Sequence, residues 1–177
     1  SRRPLDFVQS FKQARRRDDD ISIVTACLAV RFEARRIEQE EEEGSEKKEA
    51  SFVFVVSQAS FCFGGVAATP LPCPAASRAL VGSRWGLEDY NKALKALTER
   101  DVLIAEDAPG GAVPYRRALV ASAFARFFAA AHSRVAEVVS SSSSSPSVLL
   151  PPPALPAWLS AASEGLPSRP PPRSLQY

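Results

Sequence analysis

Apolar and polar residues alternate with period two over Phe7-Val8-Gln9-Ser10-Phe11-Lys12-Gln13. Such alternation turns Phe7, Phe11 and the residue between them to one face and Val8, Ser10 and Lys12 to the other, and it predicts a first strand. Ile21 to Glu33 is rich in β-branched residues, with Leu28, Val30 and Phe32 set against Ala29, Arg31 and Glu33. Phe52, Phe54 and Val56, then Phe61 and Phe63, repeat the pattern. These two segments predict a long hairpin. The residues between them, Ala34 to Ala50, carry four consecutive glutamates and Lys47-Lys48, a run too charged to bury. A mobile acidic loop insertion is expected over residues 37–50.

From Leu87 the period changes to about 3.6. Leu87, Tyr90, Leu94 and Leu97 form a stripe, with Glu88 and Asp89 early and Lys92, Lys95 and Arg100 late, as the helix dipole favours. Asp107 to Pro114 holds two prolines and two adjacent glycines and is expected to turn. Val120, Phe124, Phe127, Ala131, Val135 and Val138 then recur at helical spacing, with Arg126, Ser133 and Glu137 on the opposite side. The fold class is therefore α+β: a three-stranded antiparallel sheet covered on one face by helices, since a sheet must bury its apolar face against another layer. After Val139 come six serines and then repeated prolines, and neither periodicity survives. A disordered Pro/Ser-rich C-terminal linker is expected over 140–177, in which Trp158 and Leu159 could pin part of the tail to a surface.

Composition narrows the function less than the pattern narrows the fold. A net charge of +2 with both signs interspersed gives no general nucleic-acid or acidic-substrate signal. No apolar run reaches the roughly 18 residues a membrane helix needs. Methionine is absent, which suggests a fragment of a longer protein. The three cysteines, Cys27, Cys62 and Cys73, lack metal-ligand spacing and are expected to be buried, reduced thiols. His132, the single histidine, has no chemical partner nearby in sequence and is read as a packed or surface helix residue. Gly64-Gly65 and Gly110-Gly111 fit neither a phosphate loop nor a dinucleotide turn and are read as tight-turn or bulge glycines. No catalytic residue and no metal ligand is expected.

The densest chemistry lies in Phe11-Lys12-Gln13-Ala14-Arg15-Arg16-Arg17-Asp18-Asp19-Asp20-Ile21. This segment resembles the flavin-domain loop of xanthine dehydrogenases and their aldehyde oxidase relatives. Phe61-Cys62-Phe63-Gly64-Gly65, Leu80-Val81-Gly82-Ser83-Arg84-Trp85, Asp107-Ala108-Pro109-Gly110-Gly111 and Tyr115-Arg116-Arg117-Ala118-Leu119 resemble further segments of that family in the same order. The resemblance runs from Phe7 to Val139. It implies the C-terminal subdomain of an FAD domain, of the carbon monoxide dehydrogenase flavoprotein type, at residues 1–139, and a linker toward an absent molybdopterin domain at 140–177.

The resemblance further implies that Lys12 contacts the flavin and that Arg16, Arg17, Asp18 and Asp19 belong to a loop near the flavin that governs NAD access. The parent would be a cytoplasmic, homodimeric oxidoreductase. It would oxidise hypoxanthine and xanthine to urate, passing electrons from molybdopterin through 2Fe-2S clusters and FAD to NAD. This chain alone would not turn over substrate. Three rival readings stay open: an aldehyde oxidase fragment, which would reduce oxygen; a non-catalytic interaction protein from a truncated gene; and a nucleic-acid-binding module using Arg2, Arg3, Lys12 and Arg15 to Arg17. The adjacent aspartates argue against the last, because they would repel phosphates.

Overall fold

The computed structural model describes residues 4–15, 17, 19–37, 51–141 and 148–163. Three long strands dominate: β1 (Leu5–Arg15), β2 (Ile21–Ile37) and β3 (Ser51–Gly64). They pair antiparallel in chain order, with Phe7 opposite Val30, Lys12 opposite Thr25, and Cys27 opposite Cys62. The expected hairpin and first strand are all present. Ile37 ends β2, and the rest of the acidic insertion lies outside the described residues.

The sheet is larger than the three strands expected. Among the described residues it has five, because β4 (Leu71–Pro72) pairs antiparallel with β3 and β5 (Val148–Leu150) pairs parallel with it. Strands of two or three residues are too short to show an alternation, so no periodicity could announce them. A bulge sits in the hairpin as well. Arg31 faces Gln58 but Phe32 faces Val56, so Ser57 is the extra residue, and its hydroxyl donates to the Arg31 carbonyl at 3.4 Å. The bulge explains why the buried phenylalanines of β3 change parity, from Phe54 before it to Phe61 and Phe63 after it.

Helices cover one face. α1 (Pro74–Leu80) was not legible in the sequence; its first-turn amides, those of Ala75 and Ala76, donate to the Asp101 carboxylate at 3.1 and 2.8 Å. Asp101 ends a π-helical turn (Leu97–Asp101) that continues α2 (Leu87–Ala96). α3 (Val113–Ser141) starts with Pro114 in its first turn, where a missing N–H costs nothing, and therefore begins inside the expected turn. Its Val120, Phe124, Phe127, Phe128, Ala131 and Val135 are buried against the sheet.

The centre of the core is aromatic. Trp85 stacks on Phe128 at 4.2 Å and meets Phe32 edge-on at 5.1 Å, and its indole N–H donates to the Phe128 carbonyl at 2.9 Å. That bond satisfies a polar atom which burial would otherwise leave unpaired.

Packing also continues past Val139. Ser140 and Ser141 complete α3, and the chain returns at β5, which buries Leu149, and at α4 (Ala157–Ser160), which buries Leu159 completely. Residues 148–163 are thus a packed strap and not the disordered linker expected. His132 on α3 meets the Pro153 carbonyl at 2.9 Å, fastening the strap to the helix. Residues 142–147 and 164–177, expected as linker, lie outside the described residues.

Candidate functional site

The pleat of β1 and β2 presents Ser10, Lys12, Thr25 and Cys27 on the face opposite α3. Around Lys12 this face is open: Ser10, Lys12 and Cys27 are exposed, and Val8 keeps 65% of its surface. Lys12, Thr25, Gly64 and Pro70 border a concavity of about 520 Å³. Gly64 makes room for its neighbour across the ladder, because a Cβ there would stand 2.5 Å from the Thr25 hydroxyl. Gly65 follows at φ +78°, and a Cβ on it would collide with the Ile23 carbonyl oxygen. Its identity as a tight-turn glycine agrees with the sequence reading, as do Gly110 and Gly111 at φ +87° and +59°.

Two cations of this face, Arg31 and Lys12, meet different surroundings. Arg31 is committed: its guanidinium grips Asp6, directly across the ladder, through bonds of 2.6 and 3.0 Å. The hydrogen bond from Arg31 holds the Asp6 carboxyl below its ordinary range, and the same bond raises the Arg31 pKa. Lys12 has no carboxylate partner among the described residues. Its ammonium is left available to an anionic group entering the concavity.

Two of the other candidate residues are described. Arg17 and Asp19 are exposed in the β1–β2 turn, where Asp19 and Asp20 adopt φ +53° and +54°. Short polar side chains that bond to nearby backbone tolerate this left-handed conformation better than most. Arg16 and Asp18 lie outside the described residues. Lys12 stands three residues, about 10 Å, before the end of β1, and among the described turn residues neither Arg17 nor Asp19 lines the concavity.

Arg116 is the residue whose part the sequence did not reveal. It was legible only as one letter of a motif, yet it is 8% exposed and donates to the carbonyls of Gly111, Gly65 and Ala108 at 2.9, 3.1 and 3.3 Å. The guanidinium thereby ties the turn beneath the concavity to the 108–111 loop. Neighbouring Arg117 bridges Glu106 at 2.9 Å and donates to the Ile104 carbonyl at 2.5 Å.

The cysteines divide by environment, contrary to the expectation that all three are buried. Cys73 is buried, whereas Cys27 is exposed and Cys62 is partly exposed, because both point to the open face. Burial pushes the Cys73 thiol up to about 12. No group of three or more His, Cys, Asp or Glu side chains that could hold a metal ion occurs among the described residues, and no described helix is long and apolar enough to cross a membrane.

Residues 52–131, from the start of β3 into α3, match the CO dehydrogenase flavoprotein C-terminal domain. Xanthine dehydrogenase 1 of Arabidopsis thaliana is 40% identical over 71% of this chain, and xanthine dehydrogenase of Dictyostelium discoideum is 36% identical over the same share. The chain spans only 8 to 9% of the length of these relatives. Among solved structures, the cyanide-inactivated form of Cu,Mo-CO dehydrogenase is 19% identical over 67% of this chain and 34% of that chain, with a TM-score of 0.45. Residues 52–131 belong to the CO dehydrogenase flavoprotein C-terminal domain family, and the chain is similar to a small part of the xanthine dehydrogenases.

Proposed function

We propose that this chain supplies one wall of the FAD site in a xanthine dehydrogenase-like molybdo-flavoprotein. The observation that carries the reading is Lys12: an ammonium with no carboxylate partner among the described residues, on the uncovered face of the sheet, beside a glycine-bordered concavity. A bound flavin supplies the redox chemistry, taking electrons and passing them on. Reduction adds negative charge, and a fixed ammonium at the ring or the phosphates stabilises it. Lys12 would hold that charge while the small side chains of Ser10 and Thr25 let a flat ring approach the sheet. Arg116 would keep the Gly65 turn in place under it.

The residues fit one wall of such a site and not the whole of it. Gly64-Gly65 closes a turn against Ile23 and Gly110-Gly111 a loop held by Arg116, so neither is free to cradle a pyrophosphate. The grip on the dinucleotide would therefore come from other parts of a homodimeric, cytoplasmic parent that carries molybdopterin and 2Fe-2S clusters. Under this reading the parent oxidises hypoxanthine and xanthine to urate with NAD as acceptor, and the turn containing Arg16, Arg17, Asp18 and Asp19 governs how NAD reaches the flavin.

The test is Lys12→Met in the full-length enzyme, which keeps most of the aliphatic length and removes the charge. FAD retention or the flavin midpoint potential should fall, and NAD-linked turnover with it, while substrate still reduces the molybdenum centre. Unchanged FAD content, potential and NAD-dependent rate would show Lys12 to be a surface residue. Turnover with oxygen but not NAD, on aldehydes but not xanthine, would move the parent to the aldehyde oxidases.

A further inference from the structure

Cys27 on β2 and Cys62 on β3 are direct partners in the antiparallel ladder, so their side chains emerge side by side on the same face of the sheet. Both thiols are free, and both are at least partly accessible. Which kind of pair they form follows from the far side of β3. The Phe61 carbonyl accepts the Cys73 N–H at 2.8 Å, toward β4. Backbone groups of successive strand residues point to alternate sides, so Cys62 turns its own N–H and carbonyl toward Cys27. The two are a hydrogen-bonded pair, with Cα atoms on the order of 5.5 Å apart. That separation lies inside the range of about 4.4 to 6.8 Å over which a disulfide closes without backbone movement. Directly opposed Cβ atoms in a ladder stand about 4.5 to 5.5 Å apart, at or above the upper end of disulfide spacing, so the bond would be strained and readily reduced.

We propose that Cys27 and Cys62 form a reversible dithiol–disulfide site on the uncovered face of the sheet. Its oxidant is of the peroxide class. The thiolate of exposed Cys27 attacks the O–O bond, which breaks as an S–O bond forms, and hydroxide leaves as water after taking a proton. The Cys62 thiolate then attacks this sulfur; the S–S bond forms, the S–O bond breaks, and a second water leaves. Two electrons and two protons pass from the thiols to one peroxide, giving two waters. A low-molecular-weight dithiol returns the electrons and reopens the bond. Cys73 does not compete, because it is 1% exposed and its Sγ is turned to the Leu71 carbonyl at 3.6 Å. Both cysteines line the concavity that Lys12 borders, and the chemistry of the pair does not require that a flavin bind there.

The experiment uses the 177-residue chain, with hydrogen peroxide as oxidant and dithiothreitol as reductant, followed by alkylation, proteolysis and mass spectrometry. A linked Cys27–Cys62 peptide is expected, with Cys73 alkylated only after denaturation. The link should disappear in Cys27→Ser, persist in Cys73→Ala, and reopen with dithiothreitol. A bond between Cys62 and Cys73, a bond between two chains, over-oxidation of Cys27 with Cys62 still free, or no reaction would each overturn the proposal. Because Cys27 is exposed, its serine variant keeps the core, and circular dichroism confirms that loss of the link is not loss of the fold.

Discussion

Gly65 and Gly82 both adopt positive φ, +78° and +84°, but only Gly65 has a carbonyl oxygen where a Cβ would go. Gly82→Ala therefore adds backbone strain alone, about 1 to 2 kcal/mol. Gly65→Ala adds the collision with Ile23 and should cost more than that, roughly 3 kcal/mol. Urea midpoints of the two variants give the comparison, and equal losses would show that the turn relaxes freely. Cys73 makes a prediction in pH. Its folded pKa of about 12 lies above the ordinary 9.0, so folded and unfolded forms hold the same proton below pH 9. Above pH 9 the unfolded thiol ionises first, and stability falls as pH rises toward 12. Cys73→Ala should be less stable than the parent at pH 8, and the gap should narrow by pH 11. A gap that does not change with pH would mean that the thiol is not shielded.

The strap formed by β5 and α4 is the element the sequence concealed best. Five prolines between Pro146 and Pro156 erase any periodicity, and what anchors the strap is position: Leu149 and Leu159 reach the core where β3 and α3 leave room for them. Leu159→Ala should cost about 2 to 5 kcal/mol, because it empties a buried site. Trp158→Ala, at a residue 61% exposed, should cost markedly less by the same denaturant measurement. The long elements were legible because their length let a period repeat. β2, β3 and α3 bury one face along 14 or more residues each, and their apolar residues say so. α1 has seven residues and a cap, Asp101, that comes from 25 residues downstream, so its local sequence carried no complete signal. The site was half legible for a similar reason. Alternation put Lys12 on the outer face of β1, but the carbonyls that hold Arg116 come from segments up to 51 residues away.

At the scale of the molecule, the helices cover one face of the sheet, and the other face is open around Lys12. If that face is one wall of a flavin site, the chain alone should hold FAD weakly, since a single charge-assisted contact contributes about 1 to 3 kcal/mol. A flavin fluorescence titration of the chain checks this, and submicromolar affinity would mean that the site is nearly complete here. The aromatic core and the strap have a consequence for light as well. The chain holds two tryptophans, and they sit in opposite surroundings: Trp85 enclosed between Phe32 and Phe128, Trp158 exposed on the strap at 6.0 Å from Tyr90. Their emission should separate into a blue component deaf to iodide and a red one that iodide quenches. Detachment of the strap would then extinguish or shift the red signal while the blue one stays, so the protein reports the loosening of its tail and the melting of its core in two different colours.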